Sequence, residues 1–302
     1  MLTGCLKEGD SGCPADMRLS FRLEDAYEAG TYDTRIANDV LLYIFRDKRC
    51  VESILIPYAE IQSEKEYVIR KNELYGSLDL VAWAVPAGVD DQLIPAFENG
   101  KNLGDCRLEL NALTRVEDYE PYVCDLYLGR VSTNEAIDVE TSHKVDMIHS
   151  SCRVEVNVID VGTSLSSGAA DPKVCVYGSM HQMDMDKNGM GNVACVNTSL
   201  GCPSGDGTSY STGRFGILPS TSEQVLSVEI YNGSQLLATL STPTNSDSPI
   251  SSAAGGLIVF DYVLGEAYFW LTVGDYREKN RDHKRHIGLL LSDFKQMLKL
   301  RI

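Results

Sequence analysis

The chain has 302 residues, 43% of them hydrophobic, so it is long enough for two ordinary domains and too apolar to be disordered. Its formal net charge is −16, which disfavours nucleic acid as a partner because phosphate backbones would be repelled. No apolar run approaches the roughly 20 residues that a membrane-spanning helix needs. Any attachment to a membrane is therefore expected to come from a lipid.

The segment Leu2-Thr3-Gly4-Cys5 matches the lipobox of bacterial lipoproteins. A peptidase cuts such a motif before the cysteine once its thiol carries a diacylglycerol, so Cys5 is the predicted lipidation site. The basic and apolar regions of a signal peptide do not precede the motif here. We therefore expect the start codon to lie elsewhere or the leader to have been removed. A chance match of these four residues is the alternative.

Nine cysteines are many for a cytosolic protein, and an exported protein could pair them. Several lie in strand-like apolar runs, where a free cysteine also serves as a small core residue. The sequence contains no Cys-x-x-Cys, which argues against a zinc ribbon and against thioredoxin-like chemistry. The pairing is left open among the eight cysteines other than Cys5: Cys13, Cys50, Cys106, Cys124, Cys152, Cys175, Cys195 and Cys202.

Apolar and polar residues alternate along much of the chain, as expected for half-buried strands. Met17, Leu19, Phe21 and Leu23 form the first such row, between Arg18, Ser20, Arg22 and Glu24. Further strands are predicted at 40–45, 78–85, 108–110, 152–159, 226–231, 257–264 and 267–273.

Turn residues agree with this pattern, because Asn-Gly pairs favour tight hairpins. They occur at Asn99-Gly100, Asn188-Gly189 and Asn232-Gly233. The C-terminal residues have two interpretations. Ser292 could cap a helix, but the cleaner alternation of Leu298, Leu300 and Ile302 favours a strand.

Many short strands and few helices predict an all-β protein of two immunoglobulin-like β-sandwich domains in tandem. The polar, acidic stretch between two strong strand patterns places the join near 129–142. The predicted organisation is a lipobox and tether at 1–12, an N-terminal sandwich at 13–135 and a C-terminal sandwich at 136–302.

The sequence carries no recognisable catalytic motif, whether nucleophile elbow, metalloprotease helix, phosphate loop or dinucleotide fingerprint. The best metal candidate is Asp184, Asp186 and Asn188, whose spacing matches the opening of a calcium loop. Cys195 stands where that loop would place a glutamate, so an acidic hairpin turn is preferred. We therefore predict no enzymatic activity, no metal and no cofactor apart from the covalent lipid on Cys5.

The order of several segments resembles the fimbrillin-associated anchor lipoproteins of type V pili. The lipobox and an acidic spacer are followed by Cys13-Pro14, the alternating row at 17–24 and Asp39-Val40-Leu41-Leu42-Tyr43-Ile44-Phe45-Arg46-Asp47. Similar segments recur at 80–84, 125–129 and 152–156, and the resemblance fades after about Gly178. The family commonly has Phe-Asp where this chain has Phe45-Arg46.

The resemblance implies two transthyretin-like β-sandwiches in a surface-exposed lipoprotein at the base of a fimbrium. Its lipid would hold it in the outer membrane. Stalk subunits of such pili lose their first strand to an arginine-specific protease, and a neighbour's terminal strand fills the groove. An anchor would keep its first strand, here Met17 to Glu24, and its partners would be pilin subunits. A donated strand, if this chain supplies one, would be Gln296 to Ile302.

Two other functions are compatible with the sequence. A stalk or tip pilin would be cleaved near Arg18, Arg22 or Arg35. A surface module that binds glycans or host proteins is the second, since sandwiches often carry binding loops. Trp83 and Trp270 lie within apolar runs and are predicted to be core residues, which weakens this second alternative.

Overall fold

The structure is a computed structural model that describes residues 13–23, 27–28, 31–32, 38–62, 65–86, 93–95, 102–110, 126–160, 165, 172–202, 208–221, 224–241, 250–266 and 269–275. In these ranges the chain is almost entirely β-structure. The first strands are β1 (Asp16–Leu23), β2 (Tyr27–Glu28), β3 (Thr31–Tyr32), β4 (Asn38–Arg46), β5 (Arg49–Ile56), β6 (Tyr67–Arg70), β7 (Gly76–Pro86), β8 (Leu93–Pro95), β9 (Arg107–Leu110), β10 (Tyr127–Glu135) and β11 (Thr141–His149). The later strands are β12 (Cys152–Ile159), β13 (Pro172–Asp184), β14 (Gly189–Ser199), β15 (Ser209–Ile217), β16 (Ser227–Asn232), β17 (Gln235–Leu240), β18 (Gly256–Val263) and β19 (Phe269–Asp275).

Helical structure is limited to two short pieces within the described ranges. Helix α1 spans Tyr58–Ile61, and a single 3-10 turn spans Leu103–Asp105. Within the described part of the chain, no helix has the length and the apolar character that crossing a membrane requires.

The N-terminal sandwich is built from one seven-stranded sheet with the order β5-β4-β7-β10-β11-β1-β6. Strand β11 joins its two layers, because residues 141–147 pair with β1 while His149 and Ile148 pair with β10. The sheet therefore bends along β11 and folds over itself. Its core lies between the layers and includes Met17 and Leu19 of β1 and Leu42 and Ile44 of β4.

The C-terminal sandwich consists of two sheets. One has the order β15-β12-β18-β19, and the other has the order β17-β16-β13-β9-β8, with β14 paired to β13. The apolar rows of both sheets face each other. Val154, Val156, Val174 and Phe260 are fully buried in the core between them.

A third apolar cluster joins the two sandwiches. Phe45 and Trp83 point from the second face of the N-terminal sheet toward Leu108, Met183 and Leu218, and all five are fully buried. Strands β4 and β7 are therefore covered on both faces, which explains why their sequences are apolar almost throughout.

The predicted all-β fold class with tandem sandwiches is confirmed. The strands predicted from alternation correspond to β1, β4, β7, β9, β12, β16, β18 and β19. The structure differs from the predicted domain boundary at residue 136. Strands β10 and β11 flank this position, and both belong to the N-terminal sheet. The polar stretch ends β10 and leads into β11 within one sheet. Strands β8 and β9 come earlier in the chain, yet they pair within the second sandwich.

Candidate strand-exchange site and membrane tether

Strand β1 is the structural centre of the candidate site. Met17 and Leu19 are fully buried, Phe21 is nearly so, and Leu23 is half-buried. Successive side chains of a strand point to opposite faces, so this alternating row places all four residues on the core side. The apolar row predicted from the sequence therefore lies where a retained first strand must pack.

Hydrogen-bonded neighbours flank β1 on both edges. It pairs in parallel with β11, from Met17 opposite Thr141 to Leu23 opposite Met147. On its other edge it pairs antiparallel with β6, where Leu19 lies opposite Tyr67. Loss of β1 would leave the backbone groups of β11 and β6 unpaired above an apolar trough. This trough is the place where a replacement strand could bind.

The two arginines within β1 lie on its solvent-facing side. The Arg18 Nε donates to Glu140 Oε1 at 2.5 Å, and its Nη1 lies 3.8 Å from Glu66 Oε2. Arg22 is exposed. Arg18 lies where β1 is paired on both edges, so a protease could bind it in an extended conformation only after β1 left the sheet. Arg22 lies beyond the pairing with β6 and is held by β11 on one edge. Arg35, the third cleavage candidate, lies outside the described residues.

A buried ionic cluster lies beside the start of β1, and it consists of Lys71, Thr133, Glu135, Thr141 and His143. The side chains of Lys71 and Glu135 are both 0% exposed and form an ion pair. The ammonium group of Lys71 also donates to the carbonyl oxygens of Ala136 and Val139, at 3.2 and 2.6 Å. The three donors of the ammonium group are thereby satisfied.

The carboxylate of Glu135 is equally well satisfied. It accepts hydrogen bonds from the hydroxyl groups of Thr133 and Thr141, and the Nε2 of His143 lies 2.6 Å from its Oε1. Burial alone would raise the pKa of Glu135. The hydrogen bonds from Lys71 and from the other cluster members outweigh burial and lower this pKa to about 2. Glu135 is therefore ionised under ordinary conditions.

The backbone joins this cluster to β1. The amide of Lys71 donates to the carbonyl oxygen of Ala15 at 3.0 Å, and the amide of Ala15 donates to the carbonyl oxygen of Ile137 at 2.7 Å. The residue before β1 is thus held between the two segments that carry Lys71 and Glu135. The cluster fixes the end at which the chain enters the sheet.

The candidate calcium residues form the turn between β13 and β14. The carboxylate of Asp184 accepts hydrogen bonds from the amides of Asp186 and Asn188 and from the Asn188 side chain, at 2.8 to 3.1 Å. Lys187 takes a positive φ of 67° in the same turn. The carboxylate oxygens of Asp184 are therefore engaged in hydrogen bonds within the hairpin turn. Within the described ranges, no group of acidic, histidine or cysteine side chains is arranged to hold a metal.

The remaining predicted residues divide into three groups. Trp83 is a core residue as predicted, whereas Trp270 is half-buried on the face of β19 that points away from the core residues Phe269 and Leu271. The lipidation candidate Cys5 lies outside the described residues. The possible donor strand, Leu298, Leu300 and Ile302, also lies outside them.

Sequence reasoning missed the buried ionic cluster. Lys71 follows a four-residue strand and Glu135 ends a polar one, so neither stands out from the solvated charges around it. The alternation of β10 offered one signal, because Glu135 falls on the buried side of that strand. Its partner could not be identified without the fold.

Comparison with known proteins assigns the chain to a family. The model of the fimbrillin-A associated anchor proteins Mfa1 and Mfa2 matches residues 10–274. The chain belongs to this family. Membership places it among fimbria-associated anchor proteins, which are structural proteins and not a family of enzymes.

Individual family members are distant in sequence. The major fimbrium anchoring subunit FimB of Porphyromonas gingivalis is 26% identical over 113 residues, which are 37% of this chain and 36% of that protein. The chain thus matches only about a third of the length of this curated relative.

Solved structures support the fold over a longer range. The fimbrial anchor protein Mfa2 of P. gingivalis superposes with a TM-score of 0.57 at 12% identity, covering 87% of this chain and 98% of that one. A protein of Bacteroides thetaiotaomicron, described as a candidate polysaccharide-binding protein, superposes with a TM-score of 0.60 at 13% identity, covering 88% and 99%. At these identities the likeness concerns the fold alone.

Proposed function

We propose that this family member anchors a fimbria to the outer membrane, held by acyl chains on Cys5 and joined to a pilin by β-strand addition. The family match over residues 10–274 is the observation that carries the proposal. The lipobox at the start of the chain supports the lipid, and a mature protein that keeps β1 would have no open groove for a neighbour's strand.

Retention of β1 is the feature that would distinguish an anchor from a stalk subunit. The strand is paired on both edges, contributes fully buried side chains to the core and is held at its entry beside the buried ionic cluster. A subunit that keeps this strand has no empty groove in which to accept a neighbour's strand. It can therefore end a fibre, and it would join the fibre by donating a strand of its own.

The proposed donor is the alternating C-terminal segment with Leu298, Leu300 and Ile302. A strand entering the trough of a processed pilin would restore both its backbone hydrogen bonds and its apolar cover. Three large aliphatic side chains at a spacing of two residues suit that task. Their replacement by aspartate should abolish pilin binding without changing lipidation of the chain.

Deletion of the gene tests the proposed function. Electron microscopy of cells and spent medium should reveal long fibres shed into the medium. A Cys5→Ala strain should shed fibres in the same way, and its protein should fail to incorporate labelled palmitate. Loss of all fibres would instead point to an assembly subunit, and attached fibres of normal length would refute the proposal.

The N-terminus of the mature protein separates an anchor from a stalk or tip pilin. An anchor should begin at an acylated Cys5. A pilin would begin after Arg18, Arg22 or Arg35, and N-terminal sequencing of protein taken from cells would identify that cleavage directly.

A further inference from the structure

Two cysteines lie together on the outer face of the C-terminal sandwich. On β13, Val174 and Val176 point into the core, so Cys175 between them points to the other face. Cys195 lies on the adjacent strand β14 and faces the same side. Both are nearly buried, at 5% and 6% exposure, beneath neighbouring side chains of the sheet.

The strand register places the two thiols diagonally across the hairpin, on the same face. Cys175 lies opposite Asn197 and Cys195 lies opposite Tyr177, so the cysteines form a diagonal pair across the hairpin. The right-handed twist of antiparallel strands brings the side chains of this diagonal together. The bulge at Gly178, where φ is 96°, increases the local twist. The Sγ of Cys175 donates to Asn197 Oδ1 at 2.5 Å.

Their surroundings favour a reactive thiolate on one of the two. The hydrogen bond from Cys195 is the largest influence on Cys175, and it outweighs burial and lowers the pKa of Cys175 to about 7. The same hydrogen bond raises the pKa of Cys195. By contrast, burial raises the pKa of Cys152 in the core to about 12. Cys175 therefore supplies the attacking sulfur near neutral pH.

We propose that Cys175 and Cys195 are a redox-active pair that closes to a cross-strand disulfide by exchange with a small or protein disulfide. The thiolate of Cys175 attacks one sulfur of the oxidant, and the other sulfur leaves as a thiolate. Cys195 then loses its proton and attacks the mixed disulfide at Cys175, which expels the second thiolate of the oxidant. The protein loses two protons and two electrons, and the oxidant is reduced to two thiols.

The bond would fasten strand β14 to β13 near the middle of the hairpin. Among the described strands, β13 is the one that pairs with β14, so this ladder fixes the position of β14. The link restricts the unfolded chain between the two cysteines and should stabilise the sandwich. This inference does not depend on the proposed role in a fimbria.

The experiment uses the full chain, purified in reductant and then incubated with oxidised glutathione at pH 8. Free thiols are blocked with N-ethylmaleimide in denaturant, and tryptic peptides are mapped without reduction. We expect loss of two hydrogen atoms and a link between peptides 174–187 and 188–214. Reduction should then lower the melting temperature by several degrees.

Variants assign the link to its sulfurs. Peptide 188–214 also contains Cys202, so Cys202→Ser is the matched control and should keep the link. Cys175→Ser and Cys195→Ser should each lose it. The proposal is overturned if, after oxidation, Cys175 and Cys195 of the wild-type chain are both found alkylated by N-ethylmaleimide. It is also overturned if they carry only glutathione adducts, or if Cys202→Ser removes the link. The wild-type peptide map decides the question even where a variant does not fold.

Discussion

Asp79 shows how a single charge is accommodated in a central strand. It interrupts the apolar run of β7, and it accepts hydrogen bonds from Ser132 at 2.5 Å and from Arg130 at 3.0 Å, both on neighbouring β10. Burial raises its pKa, but these two partners outweigh burial and lower it below the ordinary value. The charge is tolerated because Ser132 lies directly opposite Asp79 on β10 and Arg130 reaches it from two residues along that strand.

The buried pair of Lys71 and Glu135 should be far more sensitive to mutation than the exposed pairs around it. Lys71→Met leaves the Glu135 carboxylate buried without its ammonium partner, and we expect a loss of about 3–5 kcal/mol in the free energy of unfolding. Urea denaturation would measure this loss.

Arg70→Met provides the matched control at the neighbouring position. Arg70 pairs with Asp16 at 3.1 Å, and its side chain is 52% exposed. An exposed pair of this kind contributes at most about 1 kcal/mol. Equal losses for the two variants would show that the buried pair has no special role.

The lowered pKa of Glu135 predicts how stability responds to acid. The folded chain holds this carboxylate ionised down to about pH 2, against an ordinary value of 4.5. The unfolded chain therefore takes up the proton first as the pH falls. The stabilisation is complete above pH 4.5 and is lost between about 4.5 and 2. Denaturation series at several pH values should show this loss in the wild-type chain and a weaker pH dependence in Glu135→Gln.

The stability of the turn at Asp184 should depend on the Asp184 carboxylate and not on bound calcium. Asp184→Ala removes three hydrogen bonds within the turn and should lower the melting temperature equally in calcium and in EDTA. Asp186→Ala is the control, since Asp186 is exposed and only its backbone amide takes part in these bonds. A higher melting temperature of the wild-type chain in calcium would restore the metal-binding interpretation.

At the scale of elements, Gly129 allows β11 to bend from one layer to the other. A Cβ at this position would lie 2.7 Å from Val145 Cγ1 and 2.9 Å from the carbonyl oxygen of Asp146. Both contacts are shorter than real Cβ atoms show, and the second involves the backbone, which cannot rotate away. The close approach of β10 and β11 therefore requires glycine here.

Gly129→Ala should consequently destabilise the N-terminal sandwich by about 1–3 kcal/mol, the usual cost of overpacking. Gly104→Ala is the control, because a Cβ there meets no atom within 4 Å. Thermal unfolding of both variants measures the difference. A Gly129→Ala protein as stable as the control would mean that the crossing of β11 tolerates a wider spacing.

The strands differ in how visible they are in the sequence. Strands β1 and β12 alternate cleanly, and β7 and β18 are apolar runs that single aspartates, Asp79 and Asp261, interrupt, so all four could be predicted. Strand β11 reads Thr-Ser-His-Lys-Val-Asp-Met-Ile-His, and Val145 and Met147 are the main apolar residues of its core side. Its pattern is weak because the core-side positions Thr141 and His143 hold polar side chains that contact Glu135. Nor could local patterns predict contacts between distant residues, such as that of Lys71 with Glu135.

At the scale of the whole molecule, the cluster around Trp83 makes the two sandwiches one unit. Met183 belongs to β13 of the second sandwich, yet it is fully buried against residues of the first. A core shared in this way couples the unfolding of both parts. We expect the wild-type chain to unfold in a single calorimetric transition.

Met183→Asp should divide that transition into two, because a carboxylate would enter the shared core without a partner. Leu236→Asp in the same sandwich is the control, since Leu236 is 48% exposed on β17. Its thermogram should keep one peak. Two separate peaks in the wild-type chain would show that the sandwiches unfold independently.

The pairing of β1 also has a mechanical consequence. A pull directed along the axis of β1 from its N-terminal end acts across its hydrogen bonds to β11 and β6, which run between the strands and not along them. These bonds share the load in shear and must break together, whereas a pull at right angles would open them one by one. Tension on a tether that enters at Ala15 would thus have to break many of these hydrogen bonds at the same time, and the sheet would resist a high force.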